Sequence, residues 1–356
     1  MTYRTVRLNP GSTKEPRSSV LVIYTGGTFG MVYDPKANQL IPFDFEQVLD
    51  RVPELNRLDF AITILTLHEI IDSSNMKPAV WVELAQLIES NYPLYDSFVI
   101  LHGTDTMSYT ASALSFMLDG LNKPVLLTGA QLPIGIARTD ARENFITALE
   151  IAAAQEDGKP IVSEVCVYFN SLLLRGNRST KHESVQFNAF ASENYPPLAT
   201  AGVSIDYNRP YIRPYQPNSI LHIRTSLDSR VTILKLFPGI TQSVVESIIS
   251  IPNLRGVVME TFGAGNAPTD RWFLYTLKAA IDRGVLIINV SQCEGGRVTQ
   301  GRYQTSKMLQ QIGVISGADI TTEAAITKLM FLLGQETNLA NIRQLLAQPL
   351  SGEMSE

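Results

Sequence analysis

The chain has 356 residues, 45% hydrophobic and 18% charged, with a formal net charge of -5. That length exceeds one ordinary core and points to roughly two domains, and the composition is that of a folded chain rather than a disordered one. The acidic balance gives no footprint for nucleic acid, and two cysteines, Cys166 and Cys293, make neither a disulfide framework nor a thiolate metal cluster. No apolar run approaches a membrane span, and the polar start lacks the apolar stretch of a signal peptide. A cytoplasmic protein with no membrane partner is expected.

Residues 1–18 mix Gly, Pro, Ser, Lys and Arg without periodicity and read as a flexible arm. From Ser19 onward, short β-rich runs alternate with helical stretches. The runs are Val20–Tyr24, Ala61–Leu67, Phe98–Leu101, Pro124–Leu127 and Val165–Phe169. In VWVELAQLIESN, Val80, Leu84, Leu87 and Ile88 share one helical face; in MSYTASALSFML, Met107, Thr110, Ala111, Leu114, Met117 and Leu118 do the same. This alternation predicts a mostly parallel sheet flanked by helices, an N-terminal α/β domain over 19–206. The stretch 207–228, entered through DYNRPYIRPYQPN from Asp206, is proline-rich and unpatterned, as in an interdomain linker. Alternation resumes in a smaller C-terminal α/β domain over 229–356. It has strands at Val231–Leu236, Gly256–Glu260 and Val285–Val290, helices near 242–250 and 270–282, and two closing helices.

Four polar clusters follow apolar runs. The first, Thr25-Gly26-Gly27-Thr28-Phe29-Gly30, lacks the G-x-G-x-x-G spacing and the helix that a dinucleotide fold requires, and it is not a phosphate loop. Open α/β sheets bind ligands at the carboxyl ends of their strands, which is where Thr28 falls. The second, His102-Gly103-Thr104-Asp105-Thr106, has more polar groups than one helix cap needs, and backbone donors there suit an oxyanion. The third, Asp72-Ser73-Ser74-Asn75, reads either as a plain turn or as a cradle for a carboxylate. In the fourth, LLLRGNRSTKHES, Lys181 is a solvated lysine unless the fold brings it to Thr104. His68, His102, His182 and His222 are scattered without zinc-ligand spacing, and no G-x-S-x-G elbow occurs. A hydrolase built from these residues would pair threonine with lysine rather than histidine.

Together the clusters resemble the bacterial-type L-asparaginase family, in its cytoplasmic type I branch. The resemblance is carried by Tyr24–Met31, Asp72–Met76, Leu101–Met107, Arg175–Lys181 and Gly263–Pro268, in the family's order. It implies an amidohydrolase that needs no cofactor or metal. Thr28 would attack the side-chain amide of L-asparagine and form an aspartyl ester, releasing ammonia before water frees L-aspartate. Thr104, Asp105 and Lys181 would move the proton, with the Thr104 N–H in the oxyanion hole. Asp72, Ser73 and Ser74 would bind the α-carboxylate, and Asp105 the α-ammonium. Asn266 would come from a second subunit, implying a homo-oligomer, a dimer of intimate dimers. The chain departs from the family at Leu40, where a tyrosine commonly partners the nucleophile; Tyr33 is the alternative hydroxyl. In several type I relatives a second asparagine acts as an effector. The matching positions here are Thr180, Cys293 and Glu260, the last replacing an arginine. A glutamate there repels the effector's carboxylate unless Arg297 supplies the cation. The competing readings are an amino-acid sensor without turnover and an amidotransferase subunit, with a dehydrogenase a distant third.

Overall fold

The computed structural model describes residues 4–8, 16–34, 39–42, 52–301 and 304–356. The chain divides into two compact units. The first holds residues up to Ser192 plus Pro196–Ile223, and the second holds Glu193–Tyr195 plus Arg224–Glu356.

The first unit is built on a nine-stranded sheet. Its strands are β1 (Arg4–Leu8), β2 (Ser19–Tyr24), β5 (Ala61–Thr66), β6 (Ser97–Leu101), β7 (Val125–Thr128), β8 (Val165–Phe169), β9 (Leu172–Arg175), β12 (Ala199–Ala201) and β13 (Ile205–Tyr207). A small hairpin, β3 (Met31–Asp34) with β4 (Gln39–Pro42), follows β2, and β10 (Thr180–Lys181) pairs with β11 (Phe190–Ala191). The sheet order is β1-β5-β2-β6-β7-β8-β9-β12-β13, and the five strands from β5 to β8 are parallel.

Their sequences explain the arrangement. Val20–Tyr24 and Phe98–Leu101 are apolar at every position rather than alternating, and each of these side chains is at most 1% exposed. Strands buried on both faces read that way in parallel sheets covered by helices. The covering helices are α1 (Pro78–Asn91), α2 (Met107–Met117) and α3 (Ala141–Ala153). The periodic residues of α1 turn Leu84, Leu87 and Ile88 inward, and α2 buries the five stripe residues it holds, with Leu118 buried just past its end.

From β2 the chain crosses to β5 on one side, then returns to place β6 on the other. The connection thus reverses direction between β2 and β6, and the carboxyl edge there is where such sheets form a binding crevice. Register aligns the ends: Tyr24 pairs with Thr66 and with Leu101, and Leu101 pairs with Thr128.

Two findings differ from the sequence reading. Arg4–Leu8, inside the expected arm, adds an antiparallel edge strand to β5, with Val6 opposite Ile64 and Leu8 opposite Ile62. Arginines at 4 and 7 masked its short alternation, and such charges suit an exposed edge. Much of the proline-rich stretch is tied to the first unit. Glu164, in a buried pair with Arg175 (2.6 Å), accepts the Arg213 N–H at 2.8 Å, and Asn122 accepts the Gln216 N–H at 3.0 Å.

The second unit has a four-stranded parallel sheet, β14 (Val231–Lys235), β15 (Gly256–Thr261), β16 (Leu286–Ser291) and β17 (Ile315–Ser316), in that order. Its helices are α4 (Gln242–Ile249), α5 (Arg271–Asp282), α6 (Gln304–Ile312), α7 (Thr322–Gln335) and α8 (Leu339–Leu346). Leu234, Val257, Met259, Phe273, Leu277 and Ile287 form its core. Lys328 and Glu353, both fully buried, pair at 2.7 Å, and the lysine also donates to the Leu346 and Gln348 carbonyls. Those extra acceptors offset the desolvation that an isolated buried pair suffers. Among the described residues no helix is long and apolar enough to cross a membrane.

His102, completely buried at the end of β6, is structural. Its Nδ1 lies 2.6 Å from the Gly103 carbonyl and its Nε2 2.9 Å from Thr110 Oγ1, which also accepts the Trp81 indole N–H. Nδ1 therefore donates and Nε2 accepts, the neutral tautomer. Burial pushes the ring down to about 4 from 6.5. The unfolded chain then binds a proton that the folded one refuses, so stability is present above about 6.5 and declines as pH falls toward 4. Between pH 6.5 and 5 this group alone is expected to cost about 2 kcal/mol. Urea midpoints across that window should fall more steeply for the wild type than for His102→Gln. Parallel slopes would dismiss this role.

Candidate active site

Three of the polar clusters follow the aligned carboxyl ends of β2, β5 and β6, and the fourth follows β9, an antiparallel strand that ends beside the start of β8. Thr28 opens a short 3-10 turn, Thr28–Gly30, four residues beyond the end of β2. Before it, Gly26 and Gly27 have φ of +133° and +86°. A Cβ on Gly27 would stand 2.5 Å from the Gly103 Cα, and one on Gly26 would stand 2.3 Å from the Ile71 carbonyl oxygen. The glycines therefore let the loop after β2 lie backbone to backbone against the loops after β6 and β5. Thr25 seals the contact, its hydroxyl and its N–H both donating to the Leu101 carbonyl at 2.9 and 3.0 Å.

Thr104–Thr106 forms a second 3-10 turn leading directly into α2. Thr104 is 9% exposed, whereas Asp105 faces solvent. Thr106 donates its hydroxyl hydrogen to the Ser73 carbonyl at 2.8 Å, joining this loop to the third cluster. There Ser73 is buried, and a Cβ on Gly103 would meet its Oγ at 2.6 Å. Asp72 accepts both the N–H and the hydroxyl of Ser74, each at 2.9 Å. These two bonds hold the Asp72 carboxyl below its usual range, the backbone donor first. Asp72 thus organises the turn as an anion, and the hydroxyl hydrogen of Ser74 is already committed to it.

Lys181 arrives by a route that no local pattern foretells. After β9, residues Gly176–Lys181 run beside α2 in the opposite direction. Gly176 abuts Ala111, Ser179 Oγ lies 3.2 Å from Ser108 Oγ, and Lys181 reaches the start of the helix. Its Nζ donates to Thr104 Oγ1 and to Asp105 Oδ1, both at 2.7 Å. The lysine side chain is 16% exposed and the aspartate 62%. The lysine is therefore not the solvated one that base rates favour.

One neighbour of Thr104 escaped the sequence reading. Gln131, just past β7, accepts the Thr104 hydroxyl hydrogen at 3.3 Å through Oε1. A signal was present, because VLLTGAQ ends an apolar strand in a glycine and a polar side chain, as VIYTGGT and VILHGTD do.

The remaining expected residues are less directly placed. Tyr33 and Leu40 are partners across the β3–β4 hairpin. Asn266 lies in the second unit and closes a tight turn, exchanging backbone hydrogen bonds with Phe262 at 2.9 Å. Glu260 accepts the Thr322 hydroxyl at 2.8 Å and pairs with Lys235 at 3.2 Å. Cys293 is exposed, and its N–H donates to Ser291 Oγ.

Threonine hydroxyls at a strand-order reversal, with a lysine on one of them, are an arrangement suited to hydrolase chemistry. The N-terminal asparaginase family model matches residues 19–213, and the glutaminase/asparaginase C-terminal domain model matches residues 230–346. The chain belongs to the asparaginase family. It is 40% identical over 343 residues to L-asparaginase 1 of Escherichia coli K12, covering 95% of this chain and 98% of that one. The 60 kDa lysophospholipase of Mus musculus is also 40% identical, over 96% of this chain but only 63% of its own length. The crystal structure of L-asparaginase I from Vibrio cholerae matches with a TM-score of 0.85 at 38% identity, covering 96% of this chain and 100% of that one.

Replacing Gly27 by alanine tests the backbone contact on which the site depends. At φ +86° and ψ 177°, a region open essentially to glycine, a side chain costs about 1–3 kcal/mol, and a forced steric clash about 1–3 more. Gly27→Ala is therefore expected to lower the urea midpoint clearly and to abolish activity. A variant with wild-type stability would show that the two loops are not in this contact.

Proposed function

We infer that the protein hydrolyses the side-chain amide of L-asparagine to L-aspartate and ammonia through a threonine acyl-enzyme. The observation that carries the reading is the contact of Lys181 with Thr104 and Asp105, on the loop that lies against the Thr28 turn. Family membership agrees with it.

Thr28 is the proposed nucleophile. Its hydroxyl oxygen bonds to the amide carbon and the C–N bond breaks. The departing nitrogen leaves as ammonia once it has received a proton, and water cleaves the ester. Thr104 and Lys181 form the proton relay, and the Thr104 N–H is the proposed donor to the oxyanion. Lys181 engages one oxygen of Asp105, and the exposure of that carboxylate leaves it reachable by the substrate ammonium. Ser73 then supplies the hydroxyl for the α-carboxylate, since Ser74 donates to Asp72. Tyr33, on the same rung of the hairpin as Leu40, is the proposed hydroxyl partner of Thr28. The proposed working form is a cytoplasmic homo-oligomer in which Asn266 of a second copy completes the pocket.

Ammonia release from asparagine, measured beside glutamine, tests the reading directly. Thr28→Ala is expected to abolish turnover with folding intact, and Lys181→Met to cost about 10²–10⁴ in rate, the range for a lost acid-base group. If asparagine binds without ammonia release, the chain is a sensor. If Lys181→Met changes the rate less than a few-fold, the relay is wrong.

Regulation by a second asparagine is not expected. Glu260 offers a carboxylate where the effector's own carboxylate needs a cation, and Thr322 and Lys235 already engage it. Velocity against asparagine should be near-hyperbolic. A Hill coefficient clearly above one that disappears in Thr180 or Cys293 variants would overturn this.

A further inference from the structure

In the second unit, the turn that follows β15 carries Asn266, and its backbone is held at every carbonyl from Gly263 onward. The Ser291 hydroxyl donates to the Gly263 carbonyl at 2.7 Å, and the Thr299 N–H donates to that of Ala264 at 3.0 Å. The Asn266 carbonyl accepts the Phe262 N–H at 2.9 Å. The Gly265 carbonyl is held by a side chain, Asn289 Nδ2, at 3.2 Å.

Asn289 interrupts an apolar strand, between Ile287 and Ile288 on one side and Val290 on the other, and it is completely buried. Its amide has one orientation. The buried Thr261 hydroxyl donates to Oδ1 at 2.6 Å, which leaves Nδ2 for Gly265. Turning the amide over would set two carbonyl oxygens face to face and strip Gly265 of its donor. The Asn266 N–H donates to the Phe262 carbonyl at 2.9 Å, so the peptide between Gly265 and Asn266 is gripped at both its oxygen and its hydrogen. With the next carbonyl held as well, planar peptides on either side of Asn266 fix the direction of its Cα–Cβ bond. The turn has no slack, because Gly265 has φ +98° and a Cβ there would stand 2.6 Å from Val298 Cγ1.

We propose that Asn289 is a positioning residue that acts in trans, holding the Gly265–Asn266 peptide so that Asn266 is aimed into the pocket of a second copy of the chain. The inference rests on the asparaginase reading above and on the place given there to Asn266. Without the Asn289 donor the Gly265 carbonyl is left buried and unpaired, and the turn rearranges to satisfy it. Asn266 then loses its aim, while the threonines and lysine of the same chain keep theirs.

The test is steady-state ammonia release from asparagine by full-length protein, with thermal midpoints recorded alongside. The variants are Asn289→Leu, Asn266→Ala and the two combined, with Asn289→Ala used if leucine does not fold. Asn289→Leu is expected to lower kcat/KM by about 10- to 100-fold. Once residue 266 is alanine, it should add less than about twofold, because both changes remove the same contact. Co-expression with Thr28→Ala separates action in trans from action in cis. In such hybrids an intact Thr28 from one copy meets an intact Asn266 turn from the other, so ammonia release should rise well above the mean of the two variants alone. Hybrids of Asn266→Ala with Thr28→Ala should behave alike. A double variant slowed by the product of the single losses would overturn the proposal. So would Asn289→Leu within about twofold of wild type, or hybrids that recover for Asn266→Ala but not for Asn289→Leu. Wild-type kcat/KM in Asn266→Ala would remove Asn266 from the pocket and this inference with it. Wild-type protein that releases no ammonia would sink the asparaginase reading itself, a failure distinct from any result for the variants.

Discussion

At the point where strand order reverses, the loops leaving β2 and β6 touch through Gly27 and Gly103, with no room between them for a methyl group. The neighbouring loops are set by this approach. Thr25 is hydrogen-bonded to Leu101, Ile71 donates its N–H to the Thr25 carbonyl, and Thr106 reaches the Ser73 carbonyl. Three chain segments far apart in sequence become one surface, with Thr28, Thr104 and Ser73 on it. A side chain at either glycine would wedge the surface open, whatever the hydroxyls nearby.

The charge at this surface comes from elsewhere. Lys181 is delivered by a segment lying along α2, and that segment is rigid because its residues from Gly176 to Ser179 are buried. The buried Arg175–Glu164 pair anchors it at one end, and the Lys181 contacts anchor it at the other. A largely buried ammonium needs acceptors, and Asp105 and Thr104 supply them. The aspartate keeps most of its exposure, so the lysine loses hydration while its partner does not. That asymmetry sets the pair apart from an ordinary surface ion pair, which contributes little to stability.

Much of the fold was legible because burial on both faces of a parallel sheet leaves continuous apolar runs, and β2, β6 and β8 show them plainly. Helix stripes such as that of α1 were legible for a similar reason. The antiparallel edges were not. β1 is short and half charged, and β12 and β13 are three residues each, so neither offers a period long enough to notice. Helix α3 also went unremarked, although Phe145, Ala148, Leu149 and Ala152 are buried on it.

The sequence by itself determined which chemistry is available: threonines after glycines at strand ends, a lysine in RSTK, and no histidine or cysteine constellation to compete. Periodicity and turn chemistry are local, so they are written in neighbouring residues. Only the tertiary structure decided that Lys181 meets Thr104, 77 positions away, and that Gln131, 27 positions away, takes the Thr104 hydrogen. It also decided that His102, the residue type most often catalytic, is a neutral buried strut. Those outcomes depend on sheet order and on the path of chain beside α2, which are set by long-range burial rather than by any residue's near neighbours.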